Sequence, residues 1–216
     1  MTGERKKEVE AIIKRLKAEY SGTTTALDFK NPYELLVATC LAAQCTDARV
    51  NKITEGLFKK YPSPKEMAAA DLIELQEDIK SCGIYKNKAK NLIACAQKLN
   101  DDFSGEVPGT LEELTTLAGV GRKTANVVLA FGFGIPAMPV DTHVKRVANR
   151  LGLADSDNPD KVEESLKKVF KKNDWIGAHH WLLWHGRRVC KSQRPMCSQC
   201  ILRDICPSVI EVYDRR

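Results

Sequence analysis

The chain has 216 residues, 43% of them hydrophobic, and carries 34 Lys and Arg against 28 Asp and Glu for a net charge of +6. That length accommodates one large or two small domains with a proper core, and no apolar run approaches the roughly 18 residues that a membrane helix needs. The charged stretch Met1 to Glu10 lacks the apolar segment of a secretion signal, so a reducing compartment is expected, and the charge excess is too moderate to demand a nucleic-acid partner by itself.

Taken in order, the periodicity predicts an all-α chain. Val9, Ile12, Ile13, Leu16 and Tyr20 recur at helical spacing over residues 6–20. Asn31-Pro32-Tyr33-Glu34 offers a cap, a first-turn proline and a glutamate at the third position, and the following stretch, 34–43, is apolar on nearly every face, as a central core helix would be. Ser63-Pro64-Lys65-Glu66 repeats that logic, and Asp71-Leu72-Ile73-Glu74 and Thr110-Leu111-Glu112-Glu113 are further capping boxes. Helices are expected over 47–60, 72–80, 86–101, 111–116, 122–132, 142–151, 159–171 and 174–188. No run alternates as a strand would. The two glycines and two prolines of 132–139 interrupt the helical pattern and place a boundary near residue 135.

Four of the eight cysteines close the chain. Cys190, Cys197, Cys200 and Cys206 are spaced C-x6-C-x2-C-x5-C within 17 residues. Thiolates so near in sequence can converge on one centre, holding zinc or an iron–sulfur cluster; two disulfides are the weaker reading in a reducing compartment. Such a centre would give 187–208 a fold that their small apolar mass does not. Cys40, Cys45, Cys82 and Cys95 sit in or beside apolar stretches and read as small buried hydrophobes.

The segment Leu117-Ala118-Gly119-Val120-Gly121-Arg122-Lys123-Thr124-Ala125 lies between two expected helices. Two glycines around one apolar residue allow a tight hairpin, whose backbone N–H groups can cradle a phosphate. Read plainly, it is a helix–helix turn followed by an exposed lysine, and Asp141 is the cap of the next helix.

The L-x-G-V-G-x-K-T-A pattern resembles the helix–hairpin–helix of the DNA glycosylase superfamily. Val140-Asp141-Thr142-His143-Val144 is similar to its aspartate motif, and the four-cysteine tail to its iron–sulfur loop. Leu41-Ala42-Ala43-Gln44-Cys45-Thr46-Asp47 is similar to its L-S-A-Q-x-T-D segment, with Ala42 departing from the usual serine. The four lie in family order, so the resemblance spans nearly the whole chain and points, within the superfamily, to the endonuclease III family. It implies a bifunctional DNA N-glycosylase and AP lyase, which removes oxidised pyrimidines from duplex DNA and cleaves the abasic site by β-elimination in base excision repair.

The resemblance also assigns residues. Lys123 would be the nucleophile at the sugar C1′ and Asp141 the carboxylate that steadies positive charge there. Cys190, Cys197, Cys200 and Cys206 would hold a [4Fe–4S] cluster. Gly119, Val120 and Gly121 would meet a DNA phosphate, Gln44 would fill the gap left by a flipped base, and Ile84 would wedge between base steps, although an isoleucine beside a helix end is ordinarily core. Lys191 and Arg194 would face the DNA backbone, with Arg187 and Arg188 adding to that positive face; a charged surface loop is the plain alternative. Asp47 would line the lesion pocket or cap its helix, and His143 would support Asp141. His179, His180 and His185 read as packing or surface residues, and Trp175, Trp181 and Trp184 as core.

Two helical lobes follow from the resemblance: a helical-barrel domain over 25–135 containing the hairpin, and an iron–sulfur domain of 1–24 plus 136–216. The protein would act as a cytoplasmic monomer on damaged double-stranded DNA, with no membrane partner. Three rivals remain. An adenine-mispair glycosylase of the same superfamily normally lacks the lysine, carries a glutamate in the early helix, where 35–47 has none, and continues into a long recognition domain, whereas ten residues follow Cys206. A non-catalytic hairpin module would make Lys123 and Asp141 coincidental. A zinc-binding interaction protein would be colourless, where a cluster is brown.

Overall fold

Six helix starts in this chain are marked by side chains that accept the orphan N–H groups of a first turn. The structure, a computed structural model, describes residues 3–209, so residues 1–2 and 210–216 of the expected iron–sulfur domain lie outside the described residues. After α1 (Gly3–Glu19), Asn31 accepts from the Glu34 N–H at 2.9 Å and opens α2 (Pro32–Ala42). Thr46 caps α3 (Asp47–Lys60) by position alone, without a side-chain bond, so Asp47 is the first helical residue rather than the cap. Ser63 opens the short α4 (Pro64–Ala68), Asp71 opens α5 (Leu72–Asp78), and Thr110 opens α7 (Leu111–Leu114), all at the sequence signatures. Between them runs α6 (Tyr85–Phe103).

The stretch expected as one helix over 122–132 is two. α8 (Arg122–Val127) widens into a π turn over Val128–Gly132, closed by the Ile135 N–H donating to the Leu129 carbonyl at 2.9 Å. Apolar periodicity cannot distinguish the two ladders. Asp141 then opens α9 (Thr142–Arg150), Asn158 opens α10 (Pro159–Val169), and α11 (Trp175–Arg188) follows a 3₁₀ turn. The described residues contain no strand.

The chain forms two compact units, one running to Thr24 and resuming at Pro136, the other Thr25–Ile135. Each has its own core. In the first, Ile12 and Leu16 of α1 bury with Val144, Val147, Leu166 and Leu182, and Cys190, Cys200 and Cys206 pack against them. In the second, α2 is the centre: Leu35, Leu36, Val37, Ala38 and Leu41 are all buried, as its all-round apolar sequence requires. Leu57, Met67, Leu75, Ile79 and Leu92 close around it.

Candidate active site and nucleic-acid interface

In the Thr25–Ile135 unit, the hairpin between α7 and α8 is anchored by Leu117 and Val120, both buried, with the Val120 N–H donating to the Leu117 carbonyl at 3.1 Å. Gly119 has φ +76, and a Cβ there would come within 3.0 Å of the Asn91 side chain on α6, so conformation and crowding both require glycine. Gly121 differs: its φ is −88, it is exposed, and a Cβ would meet open space. No internal contact explains that glycine, which leaves the backbone bare for an approaching ligand. Arg122 and Lys123 occupy the first turn of α8 and are exposed. No described residue bonds the Lys123 amine.

The same unit carries Gln44 and Ile84, both non-glycine residues in the left-handed region, each at φ 57. Ile84 is 54% exposed and precedes α6, so it is not the core residue that its position beside a helix end suggests. Gln44 is exposed, just past the end of α2. The two loops touch, since a Cβ built at Gly83 would lie 3.6 Å from the Gln44 carbonyl oxygen. Lys88 of α6 is buried beside them, its Nζ donating to the Leu41 carbonyl at 2.9 Å and to that of Ala43 at 2.7 Å. Burial pushes the thiols of Cys40 and Cys95 up to about 12 and, with Cys45 adding, that of Cys82 to about 11, which makes them inert apolar fillers at neutral pH.

In the other unit, Asp141 Oδ1 accepts from the Val144 N–H at 2.8 Å and caps α9. One turn on, Arg146 donates to His143 Nδ1 at 3.1 Å and to the carbonyls of Gly186 and Cys190, each at 3.0 Å. Burial lowers the Arg146 pKa, with Arg150 acting the same way, while the charges of Cys190 and Asp141 oppose the fall. Arg146 thereby ties the aspartate helix to the cysteine segment.

The four C-terminal cysteines are half-buried. Burial pushes the Cys200 thiol to about 11; the Leu202 N–H opposes this at 3.4 Å, and the charges of Cys206, Cys190 and Cys197 add to it. Arg150 donates to Cys190 Sγ at 3.4 Å, and His185 Nε2 lies 3.5 Å from Cys200 Sγ. Among the described residues no three His, Cys, Asp or Glu side chains are gathered as a single metal ion requires. The donor types nonetheless suit a thiolate-ligated cluster: four cysteine sulfurs within 17 residues, two of them with N–H donors aimed at them.

Between the first two of these cysteines, Lys191 and Arg194 are exposed, Arg194 with φ 50. Arg150 holds their loop by donating to the carbonyls of Lys191 at 2.7 Å and Ser192 at 3.1 Å. Arg187 and Arg188 are exposed on α11 and stack on Trp184, at 5.3 and 4.9 Å from its ring. His179, His180 and His185 are all buried: His179 Nδ1 meets the Pro139 carbonyl at 2.7 Å and His185 Nδ1 meets Tyr20 Oη at 3.1 Å. Trp181 is core, and Trp175 and Trp184 are partly buried against it. Lys88, Arg146 and Arg150 escaped the sequence reading. They act through backbone carbonyls distant in sequence, which leave no local signature.

A family model described as HhH-GPD superfamily base excision DNA repair protein matches residues 37–172. The chain is 48% identical over 206 residues to endonuclease III of Synechocystis sp., covering 95% of this chain and 93% of that one. It is 46% identical over 201 residues to endonuclease III of Bacillus subtilis, covering 93% and 92%. Among solved structures it matches a trapped endonuclease III–DNA covalent intermediate, an estranged-adenine complex, with a TM-score of 0.92 and 42% identity over 96% of this chain and 98% of that one.

Proposed function

The chain belongs to the HhH-GPD superfamily of base excision DNA repair proteins, and we propose that it is a bifunctional DNA glycosylase and AP lyase acting on oxidised pyrimidines in duplex DNA. The observation that carries this reading is likeness over nearly the full length to an endonuclease III caught in covalent linkage with DNA, joined to an exposed lysine after the hairpin that no described residue bonds. The rival adenine-mispair reading has no such lysine to offer.

The lesion nucleotide leaves the base stack. Lys123, as the free amine, attacks C1′; the base departs with the electron pair of the glycosidic bond and is protonated. The Asp141 carboxylate stabilises positive charge growing at C1′ and accepts the proton that the nitrogen loses. The nitrogen lone pair then forms the C=N bond as C1′–O4′ breaks, and O4′ leaves with that bond's electron pair and takes up the proton held by Asp141, leaving a protonated Schiff base between Nζ and C1′. Loss of a C2′ proton drives its electron pair into a C2′–C3′ double bond, and the 3′ phosphate leaves. The α9 cap supports the assigned role of Asp141, because the bond from the Val144 N–H holds its carboxylate in place at the helix start.

Cys190, Cys197, Cys200 and Cys206 would hold a [4Fe–4S] cluster, which when bound supplies a cross-link to a segment with little core of its own. The hairpin Gly119-Val120-Gly121 and the exposed Lys191 and Arg194 would meet phosphates, and Gln44 and Ile84 would enter the stack where the lesion has left it.

Borohydride reduces a Schiff base to a stable amine, so the protein should crosslink permanently to a duplex bearing an oxidised pyrimidine. Lys123→Gln should abolish that crosslink while leaving duplex binding and the fold intact, since glutamine is well tolerated in a first turn. Trapping by Lys123→Gln at the wild-type rate would move the nucleophile to another amine.

A further inference from the structure

Lys88 lies in the first turn of α6, four residues after Ile84, and is only 8% exposed. Both facts are unfavourable on their own. A cation in a first turn opposes the dipole of its own helix, and a buried ammonium is costly unless its donors are satisfied. The offset comes from α2: the Leu41 and Ala43 carbonyls that receive the Lys88 donors, at 2.9 and 2.7 Å, are the orphan acceptors of that helix end, where partial negative charge gathers. The lysine thus joins the start of one helix to the end of another.

What flanks the joint gives it meaning. One residue beyond Ala43 stands Gln44, and four before Lys88 stands Ile84, both exposed and both left-handed at φ 57. A β-branched residue rarely holds that conformation unless its surroundings impose it. The loops are in contact through Gly83 and the Gln44 carbonyl, and Arg49 of α3 donates to the Ser81 carbonyl at 3.3 Å.

We propose that Lys88 is a positioning residue for lesion exposure: its ammonium fixes Gln44 and Ile84 relative to each other, so that both enter the base stack as one rigid wedge. The inference rests on the reading that these two side chains enter the duplex. It separates Lys88 from a mere helix cap, because a wedge matters only when there is a base pair to break.

The test compares single-turnover excision of one oxidised pyrimidine in two duplexes, paired with a normal base or opposite an abasic site where no pair remains to be opened. Lys88→Met should slow the paired substrate on the order of 10- to 100-fold, as small misplacements of positioning groups do, and the unpaired one at most a few-fold. Lys88→Arg, which keeps charge and donors, should recover most of the paired rate. Adding Lys88→Met to a protein that already carries Gln44→Ala and Ile84→Ala should slow the paired substrate no further, because Lys88 acts through those two side chains. Should Lys88→Met fail to fold, Lys88→Gln carries the same comparison. Equal losses on the two duplexes, an unchanged paired rate, or a further loss from Lys88→Met in the background lacking both wedge side chains would each overturn the proposal while the wild-type enzyme remains active. An inactive wild-type enzyme would instead remove the functional reading and this inference with it.

Discussion

Asp141 combines two roles that its own substitutions can pull apart. Its Oδ1 accepts the Val144 N–H at 2.8 Å, so Asp141→Ala removes the cap of α9 and should cost about 1 kcal/mol. In a protein of this size that lowers the melting temperature by about 2–4 °C. Asp141→Asn keeps a side-chain oxygen at the same reach, so the cap survives. It forfeits the attraction to the half-buried Arg146, whose guanidinium the Asp141 charge supports, and the melting point should therefore fall by only a fraction of the alanine effect. Chemistry should respond differently. Both variants lose the carboxylate, and excision should slow on the order of 10²-fold or more in each, as for removal of one preorganised group at a transition state. Single-turnover excision on a lesion duplex, with melting followed by circular dichroism, measures both. Wild-type excision by Asp141→Asn would reduce Asp141 to a cap. A melting loss in Asp141→Asn as large as in Asp141→Ala would show that the bond to Val144 does not hold the helix start.

Protein purified without oxygen should contain about four irons and four sulfides per chain, as four-thiolate ligation implies; stoichiometric zinc without sulfide refutes this, and Cys200→Ser should unfold the C-terminal segment before it slows chemistry. Lys191→Ala combined with Arg194→Ala should weaken binding to every duplex alike and flatten the salt dependence by about two phosphate contacts. An unchanged slope means that this loop does not touch the backbone.

The sequence by itself determined those helix starts that a side chain caps, because a capping bond is a local event. Asn31, Ser63, Asp71, Thr110 and Asp141 each accept an N–H two or three residues on, and such signatures are legible without any fold. The same holds for the buried α2, whose apolar residues face every direction, and for the hairpin, where the chemistry of Gly119 follows from its neighbours in the chain. Only the tertiary structure decided why Gly121 differs from Gly119: one has Asn91 pressed against it from α6 and the other has nothing. Only it set Gln44 beside Ile84, 40 positions apart, in matching left-handed conformations, and gave Lys88 two carbonyl partners 47 and 45 residues away. Arg146 and Arg150 hold the cysteine segment through carbonyls 40 to 44 residues distant. A capping bond is written in neighbouring letters, whereas a backbone carbonyl is the same in every residue, and which one a distant cation will reach is fixed only when the helices pack.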